Sequence, residues 1–359
     1  MSHGLFGTRI IAAPMAGGTS TTRFVEAVHR SGGVGFLAAG YKTVQAMSAE
    51  VQAAQAAGIR FGMNVFVPDP RQLNPSPGDL ARLEHYRDSL RVDAGRYGVD
   101  VPPLTLGDDD GWQGKIDELL LNPPELVSFA FGLPEADVVA KFRRAGSMVL
   151  ATVTSRDEAE FAAERGVDAL VVQHPSAGAH SGAFLADSAR SGAGARSGAP
   201  STTAELVREV RAAVGLPLVA AGAVSDAAAV KSVLAAGAEA AQVGTALLRT
   251  DESGARQLHK DALGADRFTE TRPTRAFTGR YARALVNDFV RDHEDAPVGY
   301  PAIHHLTAPI RAAAAAAGDA ERLNLWAGTG WRSARPGPVA EVMSHLLAEG
   351  RDPGASASA

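Results

Sequence analysis

The sequence VVQHPSAGAHSG, residues 171–182, joins an apolar run to a series of small residues around His180. The apolar part, which begins at Ala169, predicts a β-strand that ends in a loop. In a barrel of parallel strands, the loops at the carboxyl ends of the strands carry the chemistry. Gln173 at the tip of this strand and His180 in the loop are therefore candidate site residues.

Short apolar runs alternate with amphipathic segments on both sides of this stretch. Strands are predicted at residues 9–13, 34–37, 61–66, 126–131, 148–153, 169–172, 218–221 and 241–245. The helical segments between them have capping residues such as Thr21 and Thr43 and end at glycines such as Gly237. Strands that alternate with helices in this way predict an α/β fold, the (β/α)8 TIM barrel, rather than an open doubly wound sheet.

The alternation stops near residue 262, and this sets the predicted domain organisation. Residues 1–261 form the barrel, residues 262–350 a mainly helical C-terminal extension packed on it, and residues 351–359 a disordered tail. A long excursion with several prolines and a helical segment at residues 80–92 follows the third strand. Residues 181–201 are rich in Ser, Gly, Ala and Arg, which favours a mobile loop or lid over the site.

Composition and charge exclude several classes of protein. The 359 residues carry a formal net charge of -5 without a basic stripe, so nucleic acid is not expected as a partner. The chain has no cysteine, which excludes disulfides, thiol nucleophiles and cysteine-held metal sites. Residues 1–10 lack the pattern of a signal peptide, and the alanine run at residues 312–317 is too short to span a bilayer. We therefore expect a cytoplasmic protein without membrane contact.

Two glycine-containing loops follow the last two predicted strands, where barrels of this class usually bind a phosphate. The candidate residues are Gly222, Ala223, Gln242, Val243, Gly244 and Thr245. Glycine lets a phosphate oxygen approach main-chain N–H groups closely, and the Thr245 hydroxyl can add a donor. The alternative is that Gly222 and Gly244 only permit tight turns between strand and helix.

Residues at three other strand ends can contact the opposite part of the same ligand. They are Pro14, Met15 and Ala16 after the first strand, Asn64 in the third strand and Gln173 after the sixth. Amide side chains can recognise the edge of a planar heterocycle, and the main chain near Met15 can contact its rim. Taken alone, Asn64 is better explained as a hydrogen-bonded core or turn residue. Together with a phosphate site, the set indicates flavin mononucleotide (FMN), which supplies redox chemistry that no side chain can.

His180 is the titratable side chain best placed for proton transfer in its loop. A lone histidine among small residues is otherwise an ordinary surface group, and His174 is the rival candidate. No metal site is expected on these two histidines, because their spacing fits no helical pair and no carboxylate accompanies them. His304 and His305 are predicted at a helix start, without an evident partner.

Along nearly its whole length the chain resembles the nitronate monooxygenase family, formerly grouped as 2-nitropropane dioxygenases. The order and spacing of the matching segments are specific for the flavin-dependent superfamily, and less so for nitronate oxidation within it. The segments are residues 13–17, 33–35, 62–66, 127–129, 131–134, 173–180, 220–222, 242–245, 279–283 and 325–328.

The resemblance implies a barrel that binds FMN non-covalently through Asn64, Gln173, Gly178, the turn at residues 222–223 and residues 242–245. It also implies that His180 corresponds to the catalytic histidine, which deprotonates a neutral nitroalkane or steadies the anionic nitronate. In the family an alkyl nitronate gives an electron to the oxidised flavin, O2 enters, and the products are a carbonyl compound and nitrite. NAD(P)H is not required, and the resemblance is compatible with a homodimer.

The chain departs from the family pattern in the loops that shape the site. The family usually has glycine where Ala179 and Ala223 stand, glutamate in place of Ser176, and often glutamine in place of Thr329. If the backbone at Ala223 is left-handed, alanine costs about 1–2 kcal/mol there. These changes bear on the substrate, so two alternatives remain. One is an FMN-dependent NAD(P)H enoyl-thioester reductase of the same superfamily, and the other is a non-catalytic flavin binder.

Overall fold

Eight parallel strands close into a barrel in this computed structural model, which describes residues 5–185 and 200–348. The barrel strands are β1 (Ile10–Ala12), β2 (Val34–Ala38), β3 (Phe61–Phe66), β4 (Leu126–Ala130), β5 (Met148–Val153), β6 (Ala169–Gln173), β8 (Leu218–Ala221) and β9 (Ala240–Val243). A short strand, β7 (Ala179–His180), follows β6 in the chain and lies outside the barrel. Pairing of β1 with β9, at Ile11 opposite Gln242, closes the ring. The predicted (β/α)8 fold is therefore confirmed. Residues 186–199 of the predicted mobile loop at 181–201, and all of the predicted tail at 351–359, lie outside the described residues.

Helices cover the barrel and build the additions to it. They are α1 (Thr22–Arg30), α2 (Val44–Ala56), α3 (Pro70–Leu73), α4 (Pro77–Ser89), α5 (Arg91–Gly95), α6 (Trp112–Leu121), α7 (Ala136–Arg144), α8 (Arg156–Glu164), α9 (Thr203–Ala213), α10 (Ala227–Ala235), α11 (Gln257–Ala262), α12 (Asp288–Asp292), α13 (Ala302–Ala316) and α14 (Val339–Leu347). Polar side chains cap several of them: Thr21 accepts the N–H of Phe24, and Asp226 accepts that of Ala229. No helix in the described ranges is long and apolar enough to cross a membrane.

The C-terminal helix α14 completes the outer layer of the barrel. After β9 the chain forms a short 3-10 turn, Thr245–Leu247, and then leaves the barrel. α14 packs against α1 and α10, the position that a helix following β9 would otherwise occupy. It buries Val339, Met343 and Leu346 in the same apolar core as the barrel strands. Helix α14 therefore covers the barrel where β9 and β1 meet.

The excursion after β3 and the C-terminal extension share a second apolar core. Its buried members include Leu83, Tyr86, Leu90, Phe277, Phe289, Ile303, Leu306 and Ile310. The Tyr86 hydroxyl donates to the Ala276 carbonyl at 2.6 Å, which ties the two additions together. Trp326 packs against this core, and its ring centroid lies 5.4 Å from that of His180. The two additions therefore form one layer that reaches the carboxyl ends of the barrel strands.

His180 lies in a strand, and not in the loop that the sequence predicts. β7 pairs antiparallel with β11 (Ala282–Leu285), which pairs in turn with β10 (Thr271–Thr274). His180 stands opposite Ala282 in this small sheet. The sequence prediction was wrong because glycine and alanine are poor strand formers and the partner strand comes from the C-terminal extension. Pairing with that extension, and not local propensity, makes this segment extended.

A buried ion cluster links helical segments of these additions. The Asp93 carboxylate on α5 contacts Nε of Arg322 at 2.6 Å and Nε2 of His293 at 2.9 Å. Arg322 also contacts Asp292, at the end of α12, at 2.8 Å. The side chains of Asp93 and Arg322 are 5% and 2% exposed, so water screens their attraction little. Burial alone would raise the pKa of Asp93, but the hydrogen bond from His293 and the neighbouring positive charges hold it below its usual value.

Replacing Arg322 by Met leaves Asp93 as a buried carboxylate with His293 as its remaining partner in the cluster. Removal of one member of a buried ion pair costs about 3–5 kcal/mol, and we expect Arg322→Met to lower the free energy of unfolding by that amount. The control is Arg291→Met, which removes an exposed pair with Asp288 and should cost less than about 1 kcal/mol. Urea denaturation followed by circular dichroism measures both. Equal losses in the two variants would contradict a structural role for the cluster.

Candidate active site

A cavity of about 330 Å³ opens at the carboxyl ends of the barrel strands. The site residues expected from the sequence that line it are Pro14, Met15, Ala16, Asn64, Gln173, Gly178, His180, Gly222, Ala223, Gln242, Gly244 and Thr245. Val243 does not line it, because its side chain is buried in the core and its carbonyl accepts the N–H of Ala13 at 2.8 Å. The rival histidine, His174, also lies outside the lining. Barrel closure explains the convergence, since all the parallel strands end at one edge.

The loops after β8 and β9 present main-chain N–H groups to the cavity. Within the described part of the chain, the N–H groups of Ala223, Val224 and Gly244 donate no hydrogen bond. Gly222 has a φ of +113°, and a Cβ there would come within 3.0 Å of the His174 carbonyl oxygen. The tight turn therefore requires glycine at Gly222. Unpartnered N–H groups in the wall of a cavity suit an anion such as a phosphate.

The segment around Gly328 closes the cavity against the loop after β6. Thr329 donates its N–H to the Ser176 carbonyl at 3.0 Å, and Gly328 donates its N–H to the Thr245 hydroxyl oxygen at 3.0 Å. A Cβ on Gly178 would lie 2.5 Å from the Gly328 nitrogen, so glycine is required where the two segments meet. Thr245 accepts this bond with its oxygen and keeps its hydrogen for a ligand.

Two amide side chains in the cavity hold neighbouring elements. Nδ2 of the buried Asn64 donates to the Ser128 hydroxyl at 2.8 Å, which fixes the orientation of the amide. Gln173 donates from Nε2 to the His180 carbonyl at 3.0 Å, and its Oε1 accepts the N–H of Gly182 at 2.7 Å. Gln173 therefore orients the segment that carries His180, a role that the sequence did not indicate.

Two charged side chains hold the chain beyond His180. Arg280 donates from Nε to the carbonyl of residue 181 at 3.0 Å and from Nη2 to the carbonyl of residue 183. The fully buried Glu158 accepts the N–H groups of residues 184 and 185 at 2.7 and 3.0 Å. In the sequence Glu158 has the pattern of an ordinary acidic residue in the first turn of a helix, so its long-range role was missed.

The imidazole of His180 is neutral in this environment. Burial lowers its pKa to about 3, and the charges of Arg280 and Arg311 act in the same direction. Nε2 lies 2.9 Å from the Thr278 hydroxyl oxygen, which lies 3.3 Å from the Arg280 carbonyl oxygen. Because the hydroxyl has one hydrogen, a bond from it to that carbonyl makes Nε2 the donor and leaves Nδ1 as the basic atom.

Aromatic rings that the sequence did not indicate surround His180. The His180 ring centroid lies 5.4 Å from that of Trp326, 5.6 Å from that of Phe131 and 5.8 Å from that of Tyr300. These rings come from separate segments, so no local pattern connects them. The sequence feature that could have indicated Phe131 as a site residue is its position directly after β4, at the edge of the barrel where the site lies. Rings in this arrangement exclude water from the imidazole.

His304 and His305 have partners, contrary to the sequence prediction. The His304 ring lines the cavity and stacks on Tyr41, with ring centroids 4.0 Å apart. Nε2 of His305 contacts the Asp108 carboxylate at 2.7 Å. Burial lowers the pKa of His304 to about 2, so its ring is neutral. Both partners lie far from the histidines in the sequence, which is why a local pattern could not reveal them.

The chemistry of the cavity walls is limited to hydrogen bonding, charge and proton transfer. Neutral imidazoles can move a proton, and the unpartnered N–H groups can hold an anion. In the described ranges no group of three or more His, Asp or Glu side chains could hold a metal ion. Side chains of these types do not accept electron pairs from a substrate, so oxidation at this site requires a cofactor.

A family model described as nitronate monooxygenase matches residues 3–349. The chain belongs to the nitronate monooxygenase family. A Staphylococcus aureus (strain Newman) protein named probable nitronate monooxygenase is 32% identical over 345 residues, which cover 94% of this chain and 93% of that protein. The structure of a nitroalkane oxidase from Streptomyces ansochromogenes is 44% identical, with a TM-score of 0.88, and covers 95% of each chain. FabK from Thermotoga maritima, at 20% identity and a TM-score of 0.71 over 95% of this chain and 92% of its own, shares the fold.

Membership of the nitronate monooxygenase family confirms the resemblance and identifies the chain as an oxidoreductase of a flavin-dependent class that acts on nitro compounds. Ala179 and Ala223, where the resemblance leads us to expect glycine, both have left-handed backbone. Ala179 has a φ of +62° and Ala223 a φ of +49°. Each alanine therefore costs about 1–2 kcal/mol relative to an unstrained position. Both line the cavity, so this strain is concentrated at the site.

Replacing Ala223 by glycine should raise the free energy of unfolding. Glycine removes a left-handed cost of about 1–2 kcal/mol and loses about 0.5–1 kcal/mol through chain entropy, so the midpoints of these ranges give a net gain of about 0.8 kcal/mol. The matched control is Ala317→Gly, at an exposed alanine with a φ of -82°, which should lose stability. Urea denaturation measures both variants. A loss in Ala223→Gly as large as that in the control would show that this turn is not strained.

Proposed function

We propose that this protein oxidises alkyl nitronates with O2 to a carbonyl compound and nitrite, with FMN as its cofactor. One observation carries the proposal: the neutral imidazole of His180 and the unpartnered N–H groups of the loops after β8 and β9 line the same cavity. Similarity to proteins named for nitronate monooxygenation and nitroalkane oxidation supports the choice of reaction.

FMN fits the residues that line this cavity. The N–H groups of Ala223, Val224 and Gly244 can donate to its phosphate, and the Thr245 hydroxyl can add a further donor. The residues proposed to contact the rest of the cofactor are Pro14, Met15, Ala16, Asn64, Gln173, Gly178, Gly222 and Gln242. A volume of about 330 Å³ lies in the range typical of small-molecule sites, about 300–1,000 Å³. When bound, FMN takes up the electrons that no side chain can accept.

His180 is proposed to remove the α-proton of a neutral nitroalkane. The C–H bond breaks, its electron pair moves onto the nitro group to form the nitronate, and the proton goes to a ring nitrogen. In the free protein the low pKa of about 3 makes the imidazole a weak base. The anionic nitronate that forms beside the ring raises that pKa, because an adjacent negative charge favours the imidazolium. Preformed nitronates do not need this proton transfer.

Two assays on the purified protein test the reaction. A flavin absorbance spectrum establishes the cofactor, and O2 uptake with nitrite release from ethylnitronate is compared with NAD(P)H oxidation in the presence of an enoyl thioester. Nitronate-dependent O2 uptake with nitrite release supports the proposal. NAD(P)H oxidation without nitronate activity would establish the reductase alternative. Bound flavin without either activity would identify a non-catalytic flavin binder.

The variant His180→Asn should keep bound FMN but lose turnover of neutral nitroalkanes. General-base catalysis contributes about 100-fold to 10,000-fold, so we expect a loss of that size with nitroethane and a smaller loss with preformed ethylnitronate. The control is His174→Asn, because His174 lies outside the cavity lining and should leave both rates nearly unchanged. Steady-state kinetics on both substrates measures the effect. Equal losses on the two substrates in His180→Asn would remove the base role.

The variant Gly244→Val should give folded but colourless protein. A Cβ at Gly244 would lie 3.5 Å from the Ala13 Cβ, an ordinary contact, so the fold tolerates it. The two methyl groups of valine would then occupy the approach to the N–H groups proposed to bind phosphate. Gly215→Val is the control, since a Cβ at Gly215 meets nothing within 4 Å. Normal flavin absorbance and circular dichroism in Gly244→Val would show that the phosphate binds elsewhere.

A further inference from the structure

The positively charged guanidinium of Arg311 lies in the wall of the cavity that His180 also lines. It lies on α13, and both Arg311 and Arg256 line this space. Its Nε donates to the Thr307 hydroxyl at 3.1 Å, and its Nη2 donates to the His304 carbonyl at 2.9 Å. Within the described part of the chain, Nη1 donates no hydrogen bond. These two bonds, together with a longer contact of 3.4 Å between Nη2 and Nδ1 of His304, fix the guanidinium and leave Nη1 available to a ligand.

Among the described residues, no carboxylate compensates the charge of Arg311. It forms no ion pair with a residue in 5–185 or 200–348, and the cavity lining in these ranges contains no Asp or Glu. Burial lowers the pKa of Arg311 to about 10, and the charge of Arg256 acts in the same direction. The guanidinium therefore stays charged at neutral pH. A cation partly removed from water without a carboxylate partner is costly, so this part of the cavity favours an anion.

The histidines of the cavity cannot hold an anion by charge. Burial is the main cause that lowers the pKa values of His180, His259 and His304, to about 3, 4 and 2 respectively. All three rings are therefore neutral at neutral pH. Arg256 is exposed, so water and salt screen its charge more strongly than that of the partly buried Arg311. Arg311 is consequently the cation in the described lining with the strongest effect on a bound anion.

We propose that Arg311 holds the anionic nitro oxygens of the substrate, and that His180 serves for proton transfer only. Guanidinium N–H groups match the two oxygens of a planar anion such as a nitronate. The location of Arg311 agrees with this role, because it lines the same cavity as His180 and His304. The inference rests on the proposed oxidation of nitronates and names the residue that recognises the charge of the substrate.

Nitrite binding tests this role without turnover. Nitrite is a planar anion that has two oxygens on one nitrogen, as a nitronate has, and isothermal titration calorimetry measures its affinity for the flavin-loaded protein. Loss of a hydrogen bond to a charged group weakens binding about tenfold or more, so we expect Arg311→Gln and Arg311→Met to weaken nitrite binding by that factor. Arg311→Lys keeps the charge without the planar fork, and its loss should be smaller. The control Arg332→Gln removes an exposed arginine that stacks on Trp331 outside the cavity, and should leave nitrite affinity unchanged.

Kinetics on two substrates separates recognition of charge from support of the fold. With preformed ethylnitronate, Arg311→Gln should raise KM about tenfold, because the negative charge is present in the ground state. With neutral nitroethane, KM should change little and kcat should fall, because the charge develops only as the C–H bond breaks. Equal effects on KM for both substrates would overturn the inference, since loss of a structural contact does not distinguish them.

Two further outcomes would overturn the role of Arg311. One is unchanged nitrite affinity in folded Arg311→Gln or Arg311→Met protein. The other is loss of FMN from these variants, which would assign the guanidinium to the cofactor. A protein that binds no flavin or does not oxidise nitronates would instead overturn the proposed function. Nitrite titration of the protein as purified still reports on Arg311 in that case, so the two failures are distinguishable.

Discussion

The chain after β6 is held in place because side chains from other elements satisfy its main-chain polar groups. Gln173 and Arg280 bind carbonyl and N–H groups of residues 180–183, and Glu158 binds the N–H groups of residues 184–185. The other oxygen of Glu158 accepts the N–H and the hydroxyl of Thr154 at 2.7 and 2.9 Å, so hydrogen bonds stabilise this buried carboxylate. Because β7 also pairs with β11, the position of His180 depends on contacts with the barrel and with the extension.

Backbone strain is concentrated around the same cavity. The non-glycine residues with positive φ in residues 5–185 and 200–348 are Tyr41, Asp110, Phe131, Ala179 and Ala223. All of them except Asp110 line the cavity, and the Asp110 carboxylate accepts the N–H of Tyr41 at 2.9 Å. Lys115, 1% exposed, holds this carboxylate at 2.7 Å and donates to the Ala39 carbonyl at 3.0 Å. An ion pair between the buried Lys115 and the partly exposed Asp110 thus stabilises one of the strained residues. Backbone strain of this kind clusters at functional sites.

The electrostatics of the site separates proton transfer from the binding of an anion, two tasks that the sequence assigned to His180 alone. Burial keeps the imidazole of His180 neutral, which suits it to proton transfer but leaves it without charge for an anion. The guanidinium of Arg311 keeps its charge at neutral pH and lacks a carboxylate partner in the described chain. Aromatic rings around His180 exclude water, and low polarity strengthens both interactions.

The sequence by itself determined the barrel and the edge at which the site lies. Strand and helix periodicities are local, and the ends of parallel strands in a closed barrel must meet, so residues as distant as Asn64 and Gly244 could be assigned to one site. Only the tertiary structure decided that His180 lies in a strand, that Glu158 and Arg280 hold the chain beyond it, and that Arg311 lines the cavity without a carboxylate partner among the described residues. The contact of Glu158 joins two parts of the barrel, and the other contacts arise from packing of the extension on the barrel. No local pattern encodes either kind of contact.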